Sequence, residues 1–321
     1  MVGTVALAVA GGLTLAARPD LWEGAVLLFL LALGLHHIVA TYTRLVFDRE
    51  SFRQHWMLVT ILPVVVVGGV VASAFVIGFW TLPTAYFYWQ SWHFARQSYG
   101  MERMYWRKAG GLGPDWATRA VIYAVPLWAI LNRSFQRHFE YLRMEVRWLP
   151  VDQWMVLLAG GVALGSVAVW AFTRVALARR EPAKLAHMGY LLTHVGIFAF
   201  SYAVLENPDH GWLAVSIWHS LQYLMIVWMY HNNRFKGGVD PKHRFLSALA
   251  QPRNLVVYLA ICMALAAAIY FGIKASGDLI KYNGVALLLM LYPVVNFHHY
   301  IVDALIWKLR KKPVARQLGL E

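Results

Sequence analysis

The feature that most constrains this chain is a succession of apolar runs, each near the roughly 20 residues a helix needs to cross a hydrocarbon core. Ten are read: 2–17, 22–45, 56–80, 82–104, 117–134, 152–173, 185–205, 211–233, 254–273 and 282–307. Between them little charge is left. Lys, Arg, Asp and Glu make up 14% of the 321 residues, against about 25% in a soluble domain. So few charges cannot cover a soluble surface, which excludes a soluble enzyme and a disordered chain. The single cysteine, Cys262, excludes an intrachain disulfide scaffold. The expected fold class is all-α: a polytopic transmembrane helical bundle of about ten spans, forming one integral membrane domain over 1–321.

The first run is short, but no basic residue precedes it, so it is expected to be a retained helix rather than a signal segment. Pro63, Pro83, Pro126 and Pro293 fall in or beside runs, where membrane helices tolerate proline. The basic residues orient the bundle. Twenty-two of the 29 Lys and Arg, among them Arg44, Arg107, Arg179, Arg180, Arg234 and Lys311, lie at or after the ends of the even-numbered runs. Only Arg18, Arg133, Arg137, Arg143, Arg147, Lys274 and Lys281 lie on the other side. Basic loops face the cytoplasm, so both termini are expected there, in an integral protein of a bacterial inner membrane. The same reasoning assigns the net charge of +13 to cytoplasmic loops rather than to nucleic acid. The segment 135–151 mixes both signs. It is expected to be an amphipathic segment at the outer surface, or else to mark a misplaced fifth span. The polar stretches 105–116 and 234–252 are of linker size, and their glycines read as turns rather than phosphate loops.

The chemistry must therefore lie in the spans. Ionisable residues there are costly and are functional candidates by default. Of thirteen histidines, seven fall well inside runs: His36, His37, His93, His194, His219, His298 and His299. One intramembrane histidine is readily explained by a helix–helix hydrogen bond. Seven from five helices at comparable depth are explained more economically by a shared metal or heme, since neutral imidazole is the commonest metal ligand.

Two runs share a polar spacing. Tyr86, Gln90, His93 and Gln97 repeat the offsets of Tyr292, Asn296, His299 and Asp303. At about 100° per residue each set forms a stripe about 60° wide. Every histidine then has a polar neighbour one turn away, able to fix its tautomer. His37, Thr41, Arg44 and Asp48 follow the same steps, and Ser216, His219 and Gln222 or Tyr223 give a fourth stripe. Within the adjacent pairs, His37 and His299 are expected to point inward because their stripes are polar. His36 and His298 point about 100° away. His37, His93, His219 and His299 are the preferred ligands; Asp303 and Gln97 are the candidate catalytic groups. Polar stripes also line transport paths, and that reading stays open.

Carboxylates narrow the metal. Asp303 is the one acidic residue clearly inside a run. A carboxylate-bridged di-iron bundle needs about four glutamates and is excluded. Histidines with at most one aspartate suit iron, copper or zinc, and disfavour calcium and magnesium.

The stretch His299-Tyr300-Ile301-Val302-Asp303 resembles an element of the bacteriorhodopsin-related β-carotene dioxygenase family, in which histidine is followed four residues later by aspartate. Trp92-His93-Phe94 loosely resembles a second histidine element. The Pro-His-Gly context of that family is absent. The resemblance implies iron and oxygen chemistry on an apolar substrate; the expected cofactor is non-heme iron, one or two atoms.

The expectation is a membrane-embedded, metal-dependent oxidoreductase or oxygenase. Its partners would be membrane lipids, a lipophilic small molecule, dioxygen and an electron-donor protein, with no nucleic acid. Copper, zinc or heme are the alternative cofactors. The rival functions are a transporter or channel that uses the histidines as a proton or metal relay, and a heme-binding membrane protein.

Overall fold

The computed structural model describes residues 2–178, 184–279, 281–282, 285–286 and 288–320. Arg179 and Arg180 of the basic tally, and the terminal Glu321, lie outside the described residues.

The described residues are all-α apart from two short hairpins. Helix α1 covers Val2–Ala17. Helix α2 (Trp22–Phe29) runs through a π turn at Leu30–Gly34 into α3 (Leu35–Leu45). Then follow α4 (Arg49–Ala72), α5 (Thr81–Lys108) and α6 (Trp116–Gln136). After a hairpin of β1 (Glu140–Tyr141) and β2 (Met144–Glu145) come α7 (Gln153–Ala178), α8 (Leu185–Ala199) and α9 (Pro208–Arg234). The chain continues with α10 (Arg244–Leu249), α11 (Leu255–Leu279), a second hairpin of β3 (Lys281–Tyr282) and β4 (Val285–Ala286), α12 (Leu288–Ile306) and α13 (Lys312–Gln317).

Each of the ten apolar runs is largely helical. Five helical stretches among the described residues are long and apolar enough to cross a membrane: Pro19–Leu45, Arg49–Ile77, Gln153–Val175, Pro208–Arg234 and Pro252–Ala275, with Gly3–Ala17 a shorter one. The remaining helices carry more polar side chains or fall short. The tenth run differs in detail, because β3 and β4 pair before α12 begins at Leu288. Segment 135–151 is not helical beyond the end of α6 at Gln136. It forms the β1–β2 hairpin, with Glu140 opposite Glu145, and Leu142 and Arg143 at its tip in left-handed conformation (φ 52° and 59°). Positive φ at both central residues is what a two-residue hairpin turn requires.

Caps and breaks follow the sequence. Asp48 accepts the Glu50 amide at the start of α4, and Asp115 accepts the Thr118 amide and hydroxyl at the start of α6. Pro63, Pro126 and Pro293 sit inside α4, α6 and α12.

The chain forms two compact units: Met1–Asp20 with Pro83–Trp218 and Leu320, and Leu21–Leu82 with His219–Gly319 and Glu321. In the first, α6 packs on α7 and α8, and α1 on α8. A Cβ on Gly160 would lie 3.2 Å from the Trp128 ring, so glycine there admits the large indole between α6 and α7. Arg133, 1% exposed, donates to the carbonyls of Ser201, Leu205 and Glu206, where a π turn ends the helix begun by α8. These carbonyls have no helical partner, so the guanidinium replaces the missing donors. Gly211 is obligatory beside it, because a Cβ would fall 2.0 Å from the Ser201 oxygen.

In the second unit α3 is the central element, packed on α11, α4 and α12. Leu35, Ile38 and Val39 meet Tyr258, Cys262 and Ala266 of α11. Leu45 meets Val302 and Ile306 of α12. With its apolar side chains spent on these neighbours, α3 is left with one polar edge.

Candidate metal centre

That edge carries His37, Thr41 and Arg44, all buried. It faces the middle of α9, with His219 and Tyr223, and α12, with His299 and Asp303. The π turn at Leu30–Gly34 immediately precedes the histidines. Widened turns of this kind recur at functional sites because they re-aim the side chains that follow.

One ligand nitrogen from each of His37, His219 and His299 lies within 4.8 Å of the other two. The rings of His37 and His219 stand at 89° with centroids 5.3 Å apart; those of His37 and His299 stand at 78°, 4.8 Å apart. The three residues are 5%, 1% and 1% exposed.

Hydrogen bonds select the nitrogens that face the centre. His37 Nδ1 lies 3.0 Å from the Leu33 carbonyl and 3.1 Å from Ser220 Oγ, which holds the proton on Nδ1 and turns Nε2 inward. His299 Nδ1 lies 3.2 Å from Thr41 Oγ1, while its Nε2 lies 3.4 Å from Asp303 Oδ2. Fixing the far nitrogen in this way is how proteins set the tautomer of a metal-binding histidine.

The hydroxyl of Tyr223 joins these partners. It donates to Asp303 Oδ1 at 2.6 Å, lies 2.7 Å from Thr41 Oγ1 and accepts from the Trp307 indole N–H at 2.7 Å. Its ring lies against all three histidines, with centroids 5.7, 6.4 and 5.5 Å from His37, His219 and His299. Behind it the Arg44 guanidinium is held between the faces of Trp307 and Tyr230, 4.1 and 4.4 Å from their centroids. Aromatic faces stabilise a desolvated cation, so Arg44 places a positive charge beside the polar cluster.

His36 and His298 make other contacts. His36 Nδ1 bonds to the Ala32 carbonyl at 2.8 Å and is not in the three-histidine group. Both nitrogens of His298 are engaged, Nδ1 with Tyr42 OH and Nε2 with the Leu58 carbonyl, each at 2.7 Å. His298 therefore ties α12 to α3 and α4. His93 and Gln97 on α5, and His194 on α8, belong to the first unit. There His194 is packed against Phe198 and Trp218. Sequence reasoning missed Ser220 and Trp307. Trp307 was visible in principle, since it follows Asp303 by one turn on the same face. Ser220 had no signal, because its role depends on which way α9 faces.

No protein-family model, no curated protein and no solved structure matches this chain.

Proposed function

We propose that His37, His219 and His299 bind one transition-metal ion, and that the protein is a metal-dependent membrane oxidoreductase acting on a lipophilic substrate. The observation that carries this reading is the convergence of three buried imidazoles within ligand distance of one another, two of them with the far nitrogen hydrogen-bonded. Three uncharged imidazoles with one nearby carboxylate suit iron, copper or zinc. The likeness of residues 299–303 to the iron-binding element of carotene dioxygenases favours iron. A bound redox metal would supply the electron transfer and oxygen activation that side chains alone lack.

The residues of the chain supply the rest. Ser220, Leu33 and Thr41 orient the imidazoles. Asp303 offers an anionic oxygen next to His299 Nε2. Tyr223 holds that carboxylate in place. The apolar helices around the cluster exclude water and admit an apolar substrate without prior desolvation. The experiment is dioxygen uptake by purified, metal-loaded protein with lipophilic polyenes and quinols. Uptake that depends on His219 supports the reading.

One observation favours a second reading. Asp303, Tyr223, Thr41 and His299 form a continuous hydrogen-bonded chain, which is the construction of a proton path. Proton or metal flux across sealed proteoliposomes, with no oxygen uptake, would replace the enzyme by a relay.

A further inference from the structure

The first unit contains a basic cavity unrelated to the histidines. It has a volume of about 490 Å³ and is lined by Tyr99, Arg103 and Arg107 of α5, by the loop 110–114 and by Leu320. The volume lies in the range of small-molecule sites.

The loop is shaped to stay open. Gly110 and Gly113 have φ of +73° and +69°, a conformation side chains rarely adopt. Gly111 lies on the Trp106 indole so closely that a Cβ would fall 2.2 Å from it. Trp106 is in turn held by Lys184, whose Nζ lies 4.5 Å from the ring centroid, and by His187. The loop thus rests on a fixed base.

The charges around it are one-sided. Arg103 and Arg107 are one turn apart and project to the same face. Arg119 adds a third guanidinium, 5.9 Å from the Tyr99 ring centroid and 5.1 Å from that of Trp116. No carboxylate is among the described residues that line the cavity. Asp115 and Glu102, beside the lining residues of the loop and α5, are committed to Arg174 and His187. Arg103 Nη1 is fully buried and has no hydrogen-bond partner among the described residues. A buried guanidinium donor without an acceptor is expensive, and its ordinary partner is a carboxylate or phosphate oxygen. Leu112 of the lining is 92% exposed, and Trp116, two residues beyond Pro114 at the start of α6, is 68% exposed.

From this geometry we propose that the cavity binds a phosphate group, carried by an anionic lipid headgroup or by a soluble phosphate. Arg103 and Arg107 take the phosphate oxygens, and Arg119 supplies long-range attraction. Leu112 and Trp116 are placed to meet acyl chains, since basic pockets at the ends of membrane helices take anionic headgroups and aromatic and apolar groups anchor at that depth.

The test uses the full-length protein in phosphatidylcholine nanodiscs, with thermal unfolding and lipid retention by native mass spectrometry as readouts. Dioleoylphosphatidylglycerol and inorganic phosphate are titrated separately. Saturable stabilisation by phosphatidylglycerol identifies a lipid source. Saturable stabilisation by inorganic phosphate identifies a soluble one. Arg103→Gln/Arg107→Gln should weaken the effective ligand at least tenfold, while Lys242→Gln/Arg253→Gln, which removes two exposed charges elsewhere, should not. If the glutamine variant does not fold, Arg103→Lys/Arg107→Lys keeps the charge and should bind with intermediate strength. No saturable effect of either probe on the wild-type protein, or equal binding by the arginine variants, would overturn the proposal.

Discussion

The imidazole rings of His37 and His299 meet nearly edge to face, 4.8 Å apart between α3 and α12, with His219 of α9 against His37 at 5.3 Å. Leucine would fill this space at lower cost, because burying polar rings forfeits their hydration. What distinguishes the arrangement from ordinary packing is that the far nitrogens of His37 and His299 are tied back to α3 and α9, leaving the near ones to converge. Three helices distant in sequence are committed to one small polar volume.

If these rings bind metal together, each contributes to one affinity. His37→Ala, His219→Ala and His299→Ala should each reduce metal per chain several-fold, while the protein still inserts, since insertion depends on summed hydrophobicity. Metal content of membrane-extracted protein, normalised to chain, checks this.

His298 provides the contrast to His299. It bonds Tyr42 and the Leu58 carbonyl with its two nitrogens. His298→Ala leaves two half-buried groups, Tyr42 OH and the Leu58 carbonyl, without this partner, at about 1 kcal/mol each, and should lower the unfolding temperature with metal content unchanged. Thermal melts of the two variants side by side separate the roles. Metal loss in both would show that the two rings belong to one site.

Tyr223→Phe removes the hydroxyl that joins Asp303, Thr41 and Trp307 and keeps the ring against the histidines. Loss of a group that orients ligands typically costs about 10–100-fold in metal affinity or activity. Asp303→Asn should retain the fold and most of the metal and lose activity. Chelator competition gives the affinity; turnover of the metal-loaded protein gives the second quantity. An Asp303→Asn enzyme with unchanged turnover would remove this carboxylate from the mechanism.

The helical framework was legible in the sequence for a simple reason. A run of about 20 apolar residues has few ways to satisfy its backbone other than as a helix. The polar stripes separated His37 and His299 from His36 and His298, because at 100° per residue only one member of an adjacent pair can share a face with Thr41 or Asp303. What was not legible was which distant groups hold the polar cluster in place, such as Ser220 against His37 and Trp307 against Tyr223. Helical periodicity fixes direction around one axis and carries no information about neighbours. The hairpin at 140–145 was missed because mixed charge at period-free spacing signals a surface without specifying its backbone.

Asp48 gives a pH-dependent prediction outside the spans. It caps α4, accepts from Arg234 and lies 3.3 Å from His243 Nδ1. Burial works against its ionisation, but the hydrogen bond and charge of Arg234 outweigh that, so its carboxyl titrates below the usual range. A carboxylate lowered on folding stabilises above its unfolded value, near pH 4, and that stability is lost as pH falls through the folded value. Asp48→Asn should therefore cost on the order of 1–2 kcal/mol at neutral pH, and the gap to wild type should close in acid. A gap that is constant from pH 7 to pH 3 would contradict this account of the cluster.

The central claim, a transition metal held by His37, His219 and His299, is tested most directly by elemental analysis of the full-length protein purified in mild detergent without added metal or chelator. The account predicts close to one iron, copper or zinc per chain in the wild type, and less than a tenth of that in the His37→Ala/His219→Ala/His299→Ala protein at matched helical content. A wild-type protein with no stoichiometric metal, or a triple variant that keeps it, would contradict the claim.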